Sequence, residues 1–295
     1  MLNSNLGNVL NQIVNFARTA IFEQGELNQL TNWAFDIAVN NVHEMEYSEI
    51  NVTFPVGFNP DKTTINNTRT YNKEQLLLKY QFLAFNQLAL NSLMQLVTIV
   101  EAMLSDIVRV VVARYPQKLG AKRNISIQSI LEATSLEEVH LRATDALLND
   151  LSYKSPTELA ESMKQLLSLN LLECPAFHSY VEIKATRDIF VHNRGIANDV
   201  YMRKAGSHAR VKPHMSLPVN THYFLESYEH CIQVTEWLEE QLHEHWHSSE
   251  YEHRKTPQPE LPLTIPKITE TVIKNHESLS TPPDVQSATP RLESP

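Results

Sequence analysis

Glycine and cysteine are both scarce in this chain, at 6 and 2 of its 295 residues. So few glycines leave little room for the many tight turns of an all-β protein and favour a mainly helical fold. Two cysteines, Cys174 and Cys231, cannot make a disulfide framework and do not have the spacing of a zinc motif. The first residues also lack the charged region and cleavage site of a secretory leader. We therefore expect a cytoplasmic protein.

Basic residues are also fewer than acidic ones, with 25 Lys and Arg against 34 Asp and Glu. The formal net charge is −9, which argues against a protein that coats nucleic acid without specificity.

The chain also lacks an apolar run that could face lipid. Residues 80–100 carry no charge, but they include seven polar side chains: Gln81, Asn86, Gln87, Asn91, Ser92, Gln95 and Thr98. Such a segment is too polar to face lipid, so it predicts a buried central helix and no membrane contact.

The N-terminal part of the chain is predicted to form a helical hairpin over residues 1–50. Apolar residues recur at helical spacing in 6–22 and again in 26–45, and Gly25 lies between the two segments. The apolar positions of the second segment include Leu27, Leu30, Trp33 and Ile37. Residues 51–72 contain two prolines and a glycine and are predicted to be a loop, with a short β excursion at 51–54.

Residues 73–248 are predicted to form one helical domain. Its longest helix covers 73–115, and Ser135 with Glu138 matches a capping box that begins a later helix. The last helix is expected at 220–247. Beyond residue 255 lie eight of the chain's fifteen prolines, so we predict that 249–295 is a disordered tail. The predicted fold is an all-α helical bundle with an N-terminal hairpin.

The most unusual segment is 181–204, in which several polar and charged side chains fall close together in a helical pattern. Arg187, Asp188, His192 and Asn193 fall within two turns, and Gly195 marks the expected end of the helix. Asp188 and His192 are four residues apart, so the carboxylate is expected to hydrogen-bond the imidazole. Arg187 lies five residues before His192, about 140° around the helix, and would converge with it only at a kink or across a partner molecule.

A local excess of positive charge surrounds this segment. Residues 184–212 contain seven Lys or Arg against two Asp, a local net of +5: Lys184, Arg187, Arg194, Arg203, Lys204, Arg210 and Lys212 against Asp188 and Asp199. A positive island in an acidic protein predicts a phosphate contact. The alternative is an ordinary solvated helix face.

The run from Arg187 to His192, Arg-Asp-Ile-Phe-Val-His, resembles the R-x4-6-H motif of the HEPN superfamily. The similarity continues through Asn193 and Gly195 to Tyr201 and Lys204, and the helical context from 73 to 247 fits it. HEPN domains are all-helical, and many are metal-independent endoribonucleases that act as dimers, so the resemblance implies RNA as the substrate, a homodimer and no cofactor. It further implies a prokaryotic defence or toxin–antitoxin setting, with an antitoxin or regulatory protein as a partner.

The resemblance also implies roles for individual residues. His192 would be the general acid or base, Arg187 would bind the phosphate, and Asp188 would orient His192. Asn193 would contact RNA, as would the basic residues of the island: Lys184, Arg194, Arg203 and Lys204. Some members of the superfamily are non-catalytic, so a helical nucleotide- or protein-binding module stays open as an alternative.

A second motif belongs to a different reaction class. His243-Glu244-His245-Trp246-His247 satisfies H-E-x-x-H, which in zinc hydrolases places two histidine ligands on one helix face. Glu239 and Glu240 precede it, where such helices are usually apolar, and no third ligand is evident. We therefore keep a metal site at His243 and His247 only as a remote alternative.

Overall fold

The N-terminal hairpin predicted over residues 1–50 is instead a single helix. The structure is a computed structural model that describes residues 2–46, 48–119, 127–154 and 156–246. Helix α1 runs without interruption over Leu2–Glu44 and includes Gly25. The predicted 249–295 tail lies outside the described residues.

Gly25 continues the helix because its small size serves packing rather than a turn. A Cβ atom at this position would lie 2.6 Å from Cε2 of Tyr228, whose ring is buried in the last helix, α9 (Thr221–Trp246). Only a residue without a side chain lets the two helices approach this closely. The sequence pattern could not show this reason for a glycine, because the contact is between residues far apart in the chain.

The predicted loop at 51–72 is a β-hairpin. Strands β1 (Glu49–Phe58) and β2 (Thr64–Asn72) pair antiparallel, from Glu49 opposite Asn72 to Phe58 opposite Thr64, with a bulge between Pro55 and Gly57. The short β excursion at 51–54 is confirmed and is longer than predicted. Two of the three residues that predict a loop, Pro55 and Gly57, lie at the bulge, where a strand tolerates them, and Pro60 lies in the turn between the strands.

The long central helix predicted at 73–115 is confirmed. It consists of α2 (Lys73–Phe82), a π-helical segment (Leu83–Leu88) and α3 (Ala89–Arg114), with helical backbone angles at both junctions. Ser92 shows why the uncharged 80–100 part of this helix carries polar residues. Its hydroxyl accepts hydrogen bonds from Gln24 at 3.1 Å and from Asn28 at 3.0 Å, both on α1. No described helix is long and apolar enough to cross a membrane.

Three shorter helices follow: α4 (Ile127–Leu131), α5 (Leu136–Tyr153) and α6 (Pro156–Leu167). Ser135 caps α5 as predicted, since its hydroxyl accepts from the Glu138 backbone N–H at 3.1 Å. The return half of the capping box is shifted by one residue, because the Glu138 carboxylate accepts from the backbone N–H and the hydroxyl of Thr134. These hydrogen bonds lower the pKa of Glu138 to about 2.

Helices α1, α3 and α9 pack together around the main buried cluster, and α7 (Phe177–Asn193) packs on α3 and α9. The short helix α8 (Asp199–Ala205) lies against α7, where a second cluster forms around Ile189, Tyr201 and Leu217. The described residues belong to one compact unit, so α1 shares its core with the 73–248 region rather than forming a separate domain.

Both cysteines are predicted to be unreactive in the folded protein. Cys174 and Cys231 are free and buried, and burial raises the pKa of both thiols, that of Cys231 to about 12. The thiolate is the form that reacts with thiol reagents. At pH 8 the reagent DTNB should therefore label neither cysteine in the folded protein, and it should label both cysteines after the protein is unfolded. A rapid stoichiometric reaction of the folded protein would contradict the burial of these side chains.

Gly25→Ala is predicted to destabilise the protein. Replacing glycine by alanine inside a helix normally stabilises it by about 1 kcal/mol. Here the added methyl group meets the Tyr228 ring, and overpacking of a core costs about 1–3 kcal/mol. Urea unfolding should therefore show a net loss of stability.

The control for this substitution is the same change in a Tyr228→Leu background, where the ring has been removed. There Gly25→Ala should cost less than in the natural background, a coupling that a double-mutant cycle measures. Equal effects of Gly25→Ala in the two backgrounds would show that the close approach does not limit this position.

Candidate functional site

The candidate site lies at the C-terminal end of α7, which stops where the sequence predicts. Arg194 adopts a left-handed conformation (φ 54°), as does Gly195 (φ 79°), and the backbone N–H groups of both donate to the Ile189 carbonyl. A Cβ on Gly195 would also lie 2.8 Å from the Phe190 ring. Glycine is thus needed at 195 for its backbone angle and for its size, and the sharp turn holds the last residues of α7 at the surface.

Arg187 is held by two carboxylates inside the protein. Its guanidinium contacts Glu101 of α3 directly and lies 3.3 Å from an oxygen of Asp188. The side chain is 21% exposed, and its Nε is buried without a hydrogen-bond partner. Arg187 therefore joins α7 to α3, and its buried Nε–H makes no hydrogen bond in the described structure.

Lys184 shares the Glu101 carboxylate with Arg187. Burial lowers the pKa of Lys184 to about 8. The positive charge of Arg187 also lowers this pKa, whereas the negative charge of Asp188 raises it. Contact with Glu101 favours the charged form, so Lys184 remains an ammonium at neutral pH.

Asp188 does not make the predicted hydrogen bond to His192. Its carboxylate instead accepts from the Lys204 ammonium of α8 at 3.1 Å and pairs with Arg187. Two cations attract the carboxylate more strongly than a neutral imidazole does, and one of them comes from a different helix. Asp188 therefore joins α7 to α8 and does not orient His192 in this conformation.

His192 is exposed on the last turn of α7. Within the part of the chain that the structure describes, it makes no hydrogen bond or ion pair. Its neighbour Asn193 is engaged differently, since its amide donates to the Ile196 carbonyl at 2.6 Å and closes the turn. Of the motif residues Arg187, Asp188, His192 and Asn193, only His192 has a side chain without a hydrogen bond or ion pair to another described residue.

The positive island is partly neutralised by carboxylates that lie outside its sequence window. Glu101 neutralises Lys184 and Arg187, and Glu182 pairs with Arg210. Among the predicted RNA contacts, Arg194 and Arg203 are exposed and have no ion pair in the described region, whereas Lys184 and Lys204 are paired. The net positive charge available to a phosphate is therefore smaller than +5, and of the unpaired cations Arg194 lies directly after the end of α7.

The sequence pattern missed a buried carboxylate one turn before Arg187. The Glu182 side chain is 5% exposed. It accepts hydrogen bonds from the hydroxyls of Thr186, Tyr201 and Tyr223, each at 2.7 Å, and from Nε of Arg210 at 3.1 Å. Such a carboxylate is fully satisfied, which is the condition for burying its charge. The available signal was a glutamate at an otherwise apolar position of α7.

Arg210 completes this network from the turn between α8 and α9. Its guanidinium lies 3.5 Å from the centre of the Tyr223 ring, and it donates to the Pro218 carbonyl at 2.6 Å. Its backbone N–H donates to the Tyr201 hydroxyl at 3.1 Å. Burial and the adjacent Glu182 raise the pKa of Tyr201 to about 12, and burial also raises that of Tyr223. Both phenols therefore stay protonated and continue to donate to Glu182.

A cavity of about 360 Å³ adjoins the Glu101–Lys184 contact. Its walls are mostly apolar side chains of α3, α5 and α6, with both charged residues among the lining: Thr98, Glu101, Ala102, Leu104, Ser105, Val108, Leu148, Leu151, Leu159, Met163 and Lys184. His192 is not among the lining residues, so the cavity and the end of α7 are separate places on the molecule.

Neither the second motif nor the comparisons adds a site. In the described segments, no group of three or more His, Cys, Asp or Glu side chains could hold a metal ion; His243 is described, and His247 lies outside the described residues. Comparisons with protein-family models, with curated proteins and with solved structures find no match. The function therefore has to be argued from the residues at the end of α7.

Glu182→Gln is predicted to destabilise the fold by about 3 kcal/mol, because it removes the buried charge that pairs with the partly buried Arg210 guanidinium. Urea unfolding measures the change. The matched control is Glu229→Gln on the exposed face of α9, which should change stability by no more than about 0.5 kcal/mol. Equal effects of the two substitutions would show that the Glu182 network does not stabilise this end of the molecule.

Proposed function

We propose that this protein is a metal-independent endoribonuclease of the HEPN type, with His192 as the acid–base residue. The observation that carries the proposal is the state of His192. Its neighbours in the motif are bound to other parts of the chain, yet the imidazole is exposed and makes no hydrogen bond or ion pair in the described region. Among the described residues, no hydrogen bond or ion pair gives this histidine a structural role, and histidine is the side chain that enzymes use most often for proton transfer.

The reaction needs three contributions from the protein. A base removes the proton from the ribose 2′-hydroxyl, an acid protonates the 5′-oxygen that leaves, and a cation stabilises the charge on the phosphorus centre. His192 supplies proton transfer. One imidazole cannot serve both sides of the phosphate at once, so we propose that two copies bring their α7 ends together and that each contributes a His192.

Arg187 is the proposed source of positive charge, and its contacts define how it would act. Its guanidinium is occupied by Glu101 and Asp188, but Nε has no partner. A phosphate could exchange with Glu101 for the guanidinium, and Lys184 would then retain the released carboxylate. The exposed Arg194 and Arg203 are the proposed backbone contacts, since both are free of ion pairs among the described residues.

A second candidate function is a non-catalytic helical binding module. The observation that favours it is that Arg187 and Asp188 are already engaged in ion pairs that join α7 to α3 and α8. In that case, the motif residues hold the helices together, and the exposed face of α7 binds a nucleotide or a protein. Where its ligand is RNA, this module would bind the RNA without cutting it.

His192→Ala is predicted to lower RNA cleavage at least about 100-fold while leaving the fold intact, because it removes only the proton-transferring group. Cleavage of a structured RNA is measured with EDTA present, so that a metal-dependent activity, including one at His243 and His247, is silent. His222→Ala is the matched control. His222 is an exposed histidine on α9 with a side chain 81% exposed, and its removal should leave cleavage unchanged.

Each result assigns the function differently. Cleavage that persists in EDTA and disappears in His192→Ala supports the ribonuclease. Cleavage that His192→Ala retains, or that EDTA abolishes, contradicts the proposed mechanism. If the natural protein binds RNA without cutting it, and His192→Ala binds equally well, the binding module is the correct assignment.

A further inference from the structure

The cavity of about 360 Å³ beside Glu101 has walls that three helices contribute. Leu104 and Val108 of α3, Leu148 of α5 and Met163 of α6 line it, so most of its surface is apolar. Helices α5 and α6 each pack on α3, and the cavity is the space that their side chains leave beside it. We call it the apolar cavity. Its volume falls within the range of about 300–1,000 Å³ that is typical of small-molecule sites.

A smaller pocket adjoins the apolar cavity and is lined by lysines. Its volume is about 20 Å³, which is room for a group little larger than one water molecule. Leu159 and Lys184 line both spaces, so the two spaces meet at these side chains. Three of its described lining residues, Lys154, Lys184 and Lys204, are lysines, and none is acidic. We call this space the lysine pocket.

The ion pairs around the lysine pocket leave one positive charge in excess. Each lysine has one carboxylate partner, and Arg187 shares two of these carboxylates without adding another. The pairs are Lys154 with Asp150, Lys184 with Glu101, and Lys204 with Asp188. Four cations therefore face three carboxylates in the described network, and a ligand with a single negative charge would balance it.

Tyr180 adds a buried donor without an acceptor. It lines the lysine pocket one helical turn before Lys184 and is only 1% exposed. Among the described residues, its hydroxyl has no hydrogen-bond partner. Burial raises the pKa of Tyr180, so the hydroxyl stays protonated and needs an acceptor. A buried hydroxyl without a partner is costly, and an anionic oxygen is the acceptor that binds such a donor most strongly.

We propose that the two spaces form one binding site for a single-chain amphiphilic carboxylate, such as a medium-chain fatty acid. The carboxylate occupies the lysine pocket, where Lys184 and the Tyr180 hydroxyl donate to it, and the chain lies in the apolar cavity. The small volume of the lysine pocket favours a carboxylate over a phosphate, which has more oxygens to accommodate. His192 lines neither space, and the test measures binding, so the proposal does not rest on the ribonuclease assignment.

The test is a calorimetric titration of the full-length chain with sodium decanoate, below the concentration at which it forms micelles. One saturable site is expected. Octanoate is shorter by two CH₂ groups and should bind about 15-fold more weakly, because each buried CH₂ group contributes about fourfold in affinity. Decan-1-ol lacks the charge and acetate lacks the chain, so each should bind at least about tenfold more weakly than decanoate. Decyl phosphate should also bind more weakly, because its head group is larger.

Two variants of α3 test whether the chain occupies the apolar cavity. Ser105→Phe adds a ring at the α3 wall of the cavity and should abolish decanoate binding. Gln95→Phe adds the same ring at an exposed position of α3 outside the lining, and it should leave binding unchanged.

Two lysine variants test the position of the carboxylate. Lys184→Gln should weaken decanoate binding at least about tenfold, because it removes a charged donor. Glu101 keeps Arg187 as its partner in this variant, so the fold should remain, and circular dichroism checks it. Lys164→Gln, at an exposed position of α6, is the matched control and should not change binding.

Four results would each overturn the proposal. They are the absence of saturable decanoate binding, equal affinity for decanoate and decan-1-ol, tighter binding of decyl phosphate, and unchanged binding by either folded variant, Ser105→Phe or Lys184→Gln.

Discussion

The buried carboxylate of Glu182 is the contact on which the candidate site depends. It accepts hydrogen bonds from hydroxyl groups on α7, α8 and α9 and from the guanidinium of Arg210, so four separate segments meet at one negative charge. Burying a carboxylate is costly unless its lone pairs are occupied, and here hydrogen bonds occupy them. The turn that leads from α8 to α9 is thereby fixed against α7, and the position of the helix end follows from it.

Glu101 performs the corresponding task on the opposite side of α7. It binds Lys184 and Arg187, while Asp188 binds Lys204, so the polar residues of the helix are tied to α3 and α8. Under the proposed function, this arrangement separates the residues that position α7 from the residue that transfers protons. The carboxylates hold the helix, and the exposed imidazole of His192 lies on its last turn, just before the glycine-dependent turn.

Local signals predicted local features well. The cap at Ser135, the long helix from Lys73 to Arg114 and the end of α7 at Gly195 all follow from neighbouring residues. The errors have a common physical origin in distant contacts. The pattern around Gly25 predicts a helix break because the residue that requires a glycine there, Tyr228, lies on another helix. The spacing of Asp188 and His192 predicts a hydrogen bond that does not form because the competing Lys204 lies on α8. Spacing along one helix cannot reveal a partner on a second helix.

The most direct measurement of the central claim is the chemistry of the cleaved ends. If His192 transfers protons for an attack by the ribose 2′-hydroxyl, the products carry a 2′,3′-cyclic phosphate and a 5′-hydroxyl, and an RNA with 2′-O-methyl groups remains intact. Mass spectrometry of the fragments distinguishes these ends. Products with a 3′-hydroxyl and a 5′-phosphate, or cleavage of the 2′-O-methyl RNA, would contradict a metal-independent mechanism that uses His192.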